Sequence, residues 1–164
     1  MTGGEFVYRH VHRASPELLF ECMTNPEHLS RFWGPAGMIT PLDGIVVDLR
    51  PGGTFATQMV STDGERQHRM HAVYETVVRP HRLAWREVAS GMLTTVTFVD
   101  LGDGTTEVAT HQQGVPDDYT SPEARAGWQT SLDRYAAYIQ TLAEGHDPRP
   151  HLPSTRETGG EPAS

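Results

Sequence analysis

The chain has 164 residues, 37% of them hydrophobic, and 21 acidic against 13 basic side chains give a formal charge of −8. This length suits one domain that needs no covalent or metal staple. The acidic balance excludes a phosphate-binding nucleic-acid surface and attachment to anionic membranes.

All 13 basic residues are Arg. The absence of Lys excludes Schiff-base chemistry and a lysine-dependent phosphate loop, and it fits the codon bias of a GC-rich genome such as an actinomycete's. The stretch MTGGEFVYRH has no apolar signal core, and no run approaches about 18 apolar residues, so a soluble cytoplasmic protein is expected. EFVYRHVH (5–12) reads as a strand. SPEL from Ser15 and NPEH from Asn25 each place a capping side chain, a Pro and a Glu in the order that starts a helix, which predicts short helices near 15–23 and 25–32. The single Cys, Cys22, falls in the apolar phase with Leu18, Leu19 and Met23 and reads as an inert core thiol. RFWGPAG (31–37) then sets a tryptophan before a helix-stopping Gly-Pro. Trp33 is expected to pack toward Trp128 or Tyr135 as a lid or wall.

Next comes a run with the period of strands: 44–49, 54–60, 68–78, 82–88, 93–101 and 106–113, divided by RPGG, TDGE, RPHR, ASG and GDGT. LRPGGTF lacks the spacing of a dinucleotide loop and reads as a tight turn. SPEA from Ser121 starts a third, long helix near 121–144. Trp128, Leu132, Tyr135, Ala136, Ile139, Leu142 and Ala143 form its one apolar stripe, and Gly145 is the expected cap. The polar segment 146–164 is too poor in apolar residues to offset its ordering entropy and is expected to be a disordered tail after a single domain over 1–145. Strands in one run with helices at the ends predict an α+β fold: an antiparallel sheet of seven strands packed by helices on one face.

Strand parity puts Phe55, Thr57 and Met59 on one face. Met70, Ala72 and Tyr74 share another, as do Leu83 with Trp85, and Val108 with Thr110 and Gln112. Facing the long helix, these would wall an interior of aromatics and Met with few polar groups, the character of a small-molecule pocket. The candidate ligand-binding residues are therefore Trp33, Phe55, Met59, Met70, Tyr74, Trp85, Thr110, Gln112, Trp128, Leu132 and Tyr135. Thr110 and Gln112 read equally well as hydrogen-bonded core polars. His68 and His71 point to opposite faces of a strand. His10 and His12 share one, without a carboxylate or Cys at ligand spacing, so no metal and no cofactor is expected. No nucleophile-base motif occurs, and catalytic residues stay unassigned. Edge strands allow a monomer or a weak homodimer.

SPELLFECMTNPEHLSRFWGPAGM, DLRPGGTFATQM, TDGE, RPHRL and AGWQTSLDRYAAYI, in this order between about Tyr8 and Leu142, resemble the Hsp90-ATPase-activator-homologue-like branch of the START/Bet v 1 superfamily. The resemblance implies a helix-grip fold, with the sheet wrapped around the C-terminal helix, two short helices after strand one, and an internal cavity. It implies a hydrophobic, aromatic or polyketide-like ligand. The superfamily includes polyketide cyclases, for which Tyr74, Gln112, Tyr135 and Arg86 would be the candidates, Arg86 having the outward parity. It includes enediyne self-sacrifice resistance proteins, which need a glycine within reach of the drug; Gly91, Gly114 and Gly127 are candidates. The branch name also implies a co-chaperone interaction module.

Overall fold

All three Ser/Asn-Pro-Glu signals start helices in the computed structural model, which describes residues 4–143. Ser15 Oγ accepts the Leu18 amide at 3.2 Å and opens α1 (Pro16–Thr24). Asn25 Oδ1 accepts the Glu27 amide at 3.0 Å and opens α2 (Pro26–Phe32). Ser121 Oγ accepts the Ala124 amide at 3.1 Å at the start of α3 (Pro122–Ala143). Proline occupies a position whose amide has no helical partner, and the glutamate meets the positive end of the helix dipole.

One strand before α1 and seven between α2 and α3 build an antiparallel sheet. Its strands are β1 (Gly4–His12), β2 (Met38–Ile39), β3 (Val46–Val47), β4 (Thr54–Ser61), β5 (Gln67–Val78), β6 (Arg82–Glu87), β7 (Leu93–Asp100) and β8 (Thr106–Val115). The order across the sheet is β1-β8-β7-β6-β5-β4-β2, with β3 also pairing β4. Two differences from the expected seven strands stand out. The segment 44–49 keeps only two paired residues, because Leu42–Gly44 winds into a 3-10 turn and the backbone folds back after Asp48. Met38–Ile39 adds a strand too short for a period of two to be readable. The cap expected at Gly145 and the tail expected over 146–164 lie outside the described residues.

RPGG is a turn, as expected. The Gly52 amide donates to the Tyr74 carbonyl at 2.8 Å and the Tyr74 amide to the Gly53 carbonyl at 2.9 Å. A Cβ on Gly53 would lie 2.0 Å from the Asp48 carbonyl oxygen, so no other residue fits there.

The sheet curves around α3. Tyr74 pairs with Trp85 but Thr76 with Ala84, so Glu75 is an extra residue that bends β5. Glu75 points outward and meets Arg86 at 2.6 Å. The opposite parity fills the concave face with Phe55, Ala72, Leu83, Val96, Phe98 and Val108, all buried. α1 covers one end, where Phe20 meets Phe98 edge-on at 5.6 Å.

Helix α3 packs unevenly. Its second half is closed down: Tyr135, Tyr138 and Ile139 are buried. The Tyr135 hydroxyl donates to the Leu19 carbonyl at 2.9 Å, and the Phe32 ring lies 4.9 Å from that of Tyr135. Its first half, with Arg125, Trp128, Ser131 and Leu132, is only half-buried. Replacing Tyr135 by Phe removes this buried bond while the Leu19 carbonyl keeps its partner within α1, so urea denaturation should show a loss of about 0.5–1.5 kcal/mol. An unchanged midpoint would contradict this anchoring of α3.

Candidate functional site

Beneath the half-buried part of α3 lies a cavity of about 630 Å³, within the ~300–1,000 Å³ typical of ligand sites. Met23, Met59, Met70 and Met92 line it together with Trp85 and Val96. Thr94, Thr110 and Gln112 add buried polar groups from β7 and β8.

One wall is the loop after α2. Arg134 on α3 donates through Nη1 to the carbonyls of Gly34, Pro35 and Met38 at 2.8, 2.9 and 3.0 Å. The Ala36 amide donates to Thr130 Oγ1 at 3.0 Å. Gly34 has φ of +102°, the left-handed region that favours glycine, and a Cβ there would also press on Met59 Sδ at 2.5 Å. The turn delivers Trp33 to the sheet, not to α3 as expected. Its indole N–H donates to Thr57 Oγ1 at 3.2 Å, and its ring lies 5.3 Å from Phe55 and 6.1 Å from Trp85. Phe32, one residue earlier, takes the place against Tyr135.

Of the candidate residues, Trp33, Met59, Met70, Trp85 and Thr110 line the cavity, as do Gln112, Trp128, Leu132 and Tyr135. Phe55 and Tyr74 are not part of its lining. They stack on each other at 5.4 Å and 10° between planes, with Trp85 edge-on to Phe55 at 5.0 Å. These rings fill the end of the concave face where RPGG crosses Tyr74. Parity predicts which way a strand residue points, not whether its neighbours already fill the space. Sequence reasoning missed Tyr8, Arg125 and Met92 in the lining. The alternation Phe6, Tyr8, His10, His12 and the three-residue step from Arg125 to Trp128 were the available signals.

Several groups in and around the cavity are shifted by burial. His12 is pushed down to about 4, first by loss of solvation and then by His10, whose ring lies 4.4 Å away. The Tyr135 hydroxyl is raised well above its ordinary value by burial, and the Cys22 thiol is pushed up to about 12. Cys22 is therefore protonated and unreactive at neutral pH. Glu87, at the cavity rim, is raised by burial against the lowering effect of the Ser90 hydroxyl. Among the described residues no group of three His, Cys, Asp or Glu could hold a metal ion.

Residues 13–140 match the family described as activator of Hsp90 ATPase homolog 1-like protein. A crystal structure from Chromobacterium violaceum superposes with a TM-score of 0.74 at 24% identity, over 82% of this chain and 96% of that one. The solution structure of an AHSA1-like protein from Aeromonas hydrophila has a TM-score of 0.74 at 24% identity, over 90% and 99%. A crystal structure from Mycobacterium smegmatis has a TM-score of 0.70 at 18% identity, over 86% and 91%. At these identities the likeness shows the fold. No curated protein matches the chain.

The buried, neutral His12 makes a pH prediction. In the unfolded chain a histidine protonates near pH 6.5, but in the fold only near pH 4. Between these values the unfolded state binds a proton that the native state does not, so stability falls as pH drops through that window. His12→Gln should flatten this part of the stability-pH curve, and NMR should show the His12 ring titrating near pH 4. Titration at an ordinary histidine value would contradict its burial.

Proposed function

The chain belongs to the activator of Hsp90 ATPase homolog 1-like family and has the helix-grip fold of the START/Bet v 1-like superfamily, and on that premise we propose that it binds a hydrophobic, aromatic or polyketide-like small molecule beneath α3. The observation that carries this reading is the cavity itself. As a sealed packing fault, an apolar space of 630 Å³ would cost about 15 kcal/mol at ~24 cal/mol per Å³, the whole stability of a domain. It is instead open at a rim that includes the exposed His68, Tyr119 and Gln129. Flat rings suit walls built from Trp33, Trp85, Trp128 and four methionines.

The family also suggests a co-chaperone-type module. An internal pocket favours the ligand reading, because binding a protein surface requires no such space. A cyclase that used Tyr74 and Tyr135 as its acid-base groups would need their hydroxyls presented to the ligand. Tyr74 is outside the lining, and the Tyr135 hydroxyl is committed to the Leu19 carbonyl. A role in secondary metabolism or self-sacrifice resistance fits an aromatic ligand. Of Gly91, Gly114 and Gly127, it is Gly127 that lies on the cavity wall. No helix among the described residues is long and apolar enough to cross a membrane. We propose a cytoplasmic protein, monomeric or weakly dimeric through edge strand β1, where Val7 and Val11 are exposed.

Gly127 also provides the test. A Cβ added there meets nothing within 4 Å, and the residue sits in a helix, where Leu is favoured over Gly. Anthracene-2-carboxamide should quench the tryptophan fluorescence saturably. Gly127→Leu, which places its side chain on the cavity wall, should weaken that binding at least about tenfold with thermal stability kept or raised. Equal binding by wild type and variant, or no saturable quenching by this probe or its carboxylate analogue, would sink the reading.

A further inference from the structure

Among the described residues, four of the five buried side-chain atoms without a hydrogen-bond partner belong to residues that line the cavity; the fifth, the Tyr74 hydroxyl, lies outside the lining. The four are the Tyr8 hydroxyl, Gln112 Oε1, Arg125 Nη2 and Trp128 Nε1. Gln112 is 3% exposed. The topology explains why they meet. Phe6 and Tyr8 lie two apart on β1, so their side chains share a face. Their register partners on β8 are Gln112 and Thr110. Arg125 and Trp128 lie three apart on α3, on one helix face above them. The Arg125 guanidinium sits 3.5 Å from the Phe6 ring centre and 4.9 Å from that of Tyr8, and the Trp128 ring lies 6.0 Å from the Tyr8 ring.

The chemistry of this cluster is directional. Arg and Trp side chains donate and never accept, and a tyrosine hydroxyl can donate. Three donors therefore converge with one acceptor, Gln112 Oε1. Arg125 has aromatic faces but no ion pair among the described residues, whereas Arg9, Arg50, Arg79 and Arg86 each have a carboxylate within reach. Burial disfavours its charged form, and among the described residues the groups that face it are the Phe6 and Tyr8 rings and no carboxylate. The other acids on the lining have partners elsewhere: Asp133 accepts from Gln129, and Glu87 from Ser90. A half-buried cation with one buried nitrogen unpaired, and two more buried donors without acceptors, are costly to a fold unless a ligand oxygen completes them.

The sheet register also gives the ligand a direction. Gln112 pairs with Thr94, and Thr94 with Trp85. This row crosses from β8 to β6, two strand spacings or about 10 Å, and ends at the ring that Trp33 touches.

We propose that the cavity takes an aromatic acid, its carboxylate or comparable oxyanion held by Arg125, Trp128 and Tyr8, a neighbouring hydroxyl donating to Gln112, and its rings lying across the strands toward Trp85. This rests on the reading that the cavity binds a small molecule. The test compares anthracene-2-carboxylate with anthracene-2-carboxamide, which share rings and shape, by quenching of tryptophan fluorescence at fixed moderate salt. The wild-type protein should bind the carboxylate at least about tenfold more tightly. Arg125→Met should bring the two within about twofold of each other, chiefly by weakening the carboxylate. Saturable binding of both probes with equal affinity by the wild type would overturn the acid assignment and leave the cavity reading standing. A carboxylate preference that survives in Arg125→Met would overturn the assignment to this cluster. Failure of both probes to bind would remove the cavity reading and the acid with it.

Discussion

One half of α3 is pinned and the other is held off the sheet, and the site exists because of that difference. The pin is a buried hydrogen bond from the Tyr135 hydroxyl to the Leu19 carbonyl. It joins the last helix to the first across most of the chain, in a place where neither group has water as an alternative. Phe32, Tyr138 and Ile139 close the surrounding space. Toward the N-terminus of α3 the inward residues are Trp128, Arg125 and the side-chain-free Gly127, and the sheet does not close against them. A rigid helix anchored at one end over a curved sheet cannot touch it everywhere, and the remaining gap is the cavity.

The loop after α2 keeps that gap from collapsing. Arg134 satisfies three carbonyls of a turn that has no regular ladder of its own. All three bonds come from Nη1, whose two hydrogens are shared among them, and the positive charge strengthens each. The result ties α3 to the loop laterally, so Trp33 forms a side wall with Trp85. A tryptophan before Gly-Pro is thus a wall element whose polar edge is anchored to Thr57, and the Gly34 conformation is what swings it there.

Much of this was legible in the sequence. The three Ser/Asn-Pro-Glu starts act locally, through side chains that cap amides two or three residues on, and local chemistry survives folding unchanged. The inward parity of Met70, Trp85, Thr110 and Gln112 follows from the period of two and needed no tertiary information. Phe55 and Tyr74 were different. Both point inward, yet they pack against each other and Trp85 because the RPGG turn closes that end of the sheet, a long-range fact with no local signature. Trp33 was misplaced for the same reason: its direction depends on a positive φ at Gly34 and on an arginine a hundred residues later. Arg125 and Tyr8 were missed because a charged residue at a helix start and a tyrosine on an edge strand ordinarily face water. Here the fold turns both inward.

The chain carries its own reporters of whether the space beneath α3 holds a ligand. Met23, Met59, Met70 and Met92 line the cavity, while Met38 is buried outside its lining. With 13C-methyl methionine labelling and anthracene-2-carboxylate as the probe, ring currents should move the four lining methyls saturably and together, and leave Met38 nearly fixed. A spectrum in which the lining methyls stay still, or in which Met38 moves as far as they do, would contradict a binding cavity under the first half of α3.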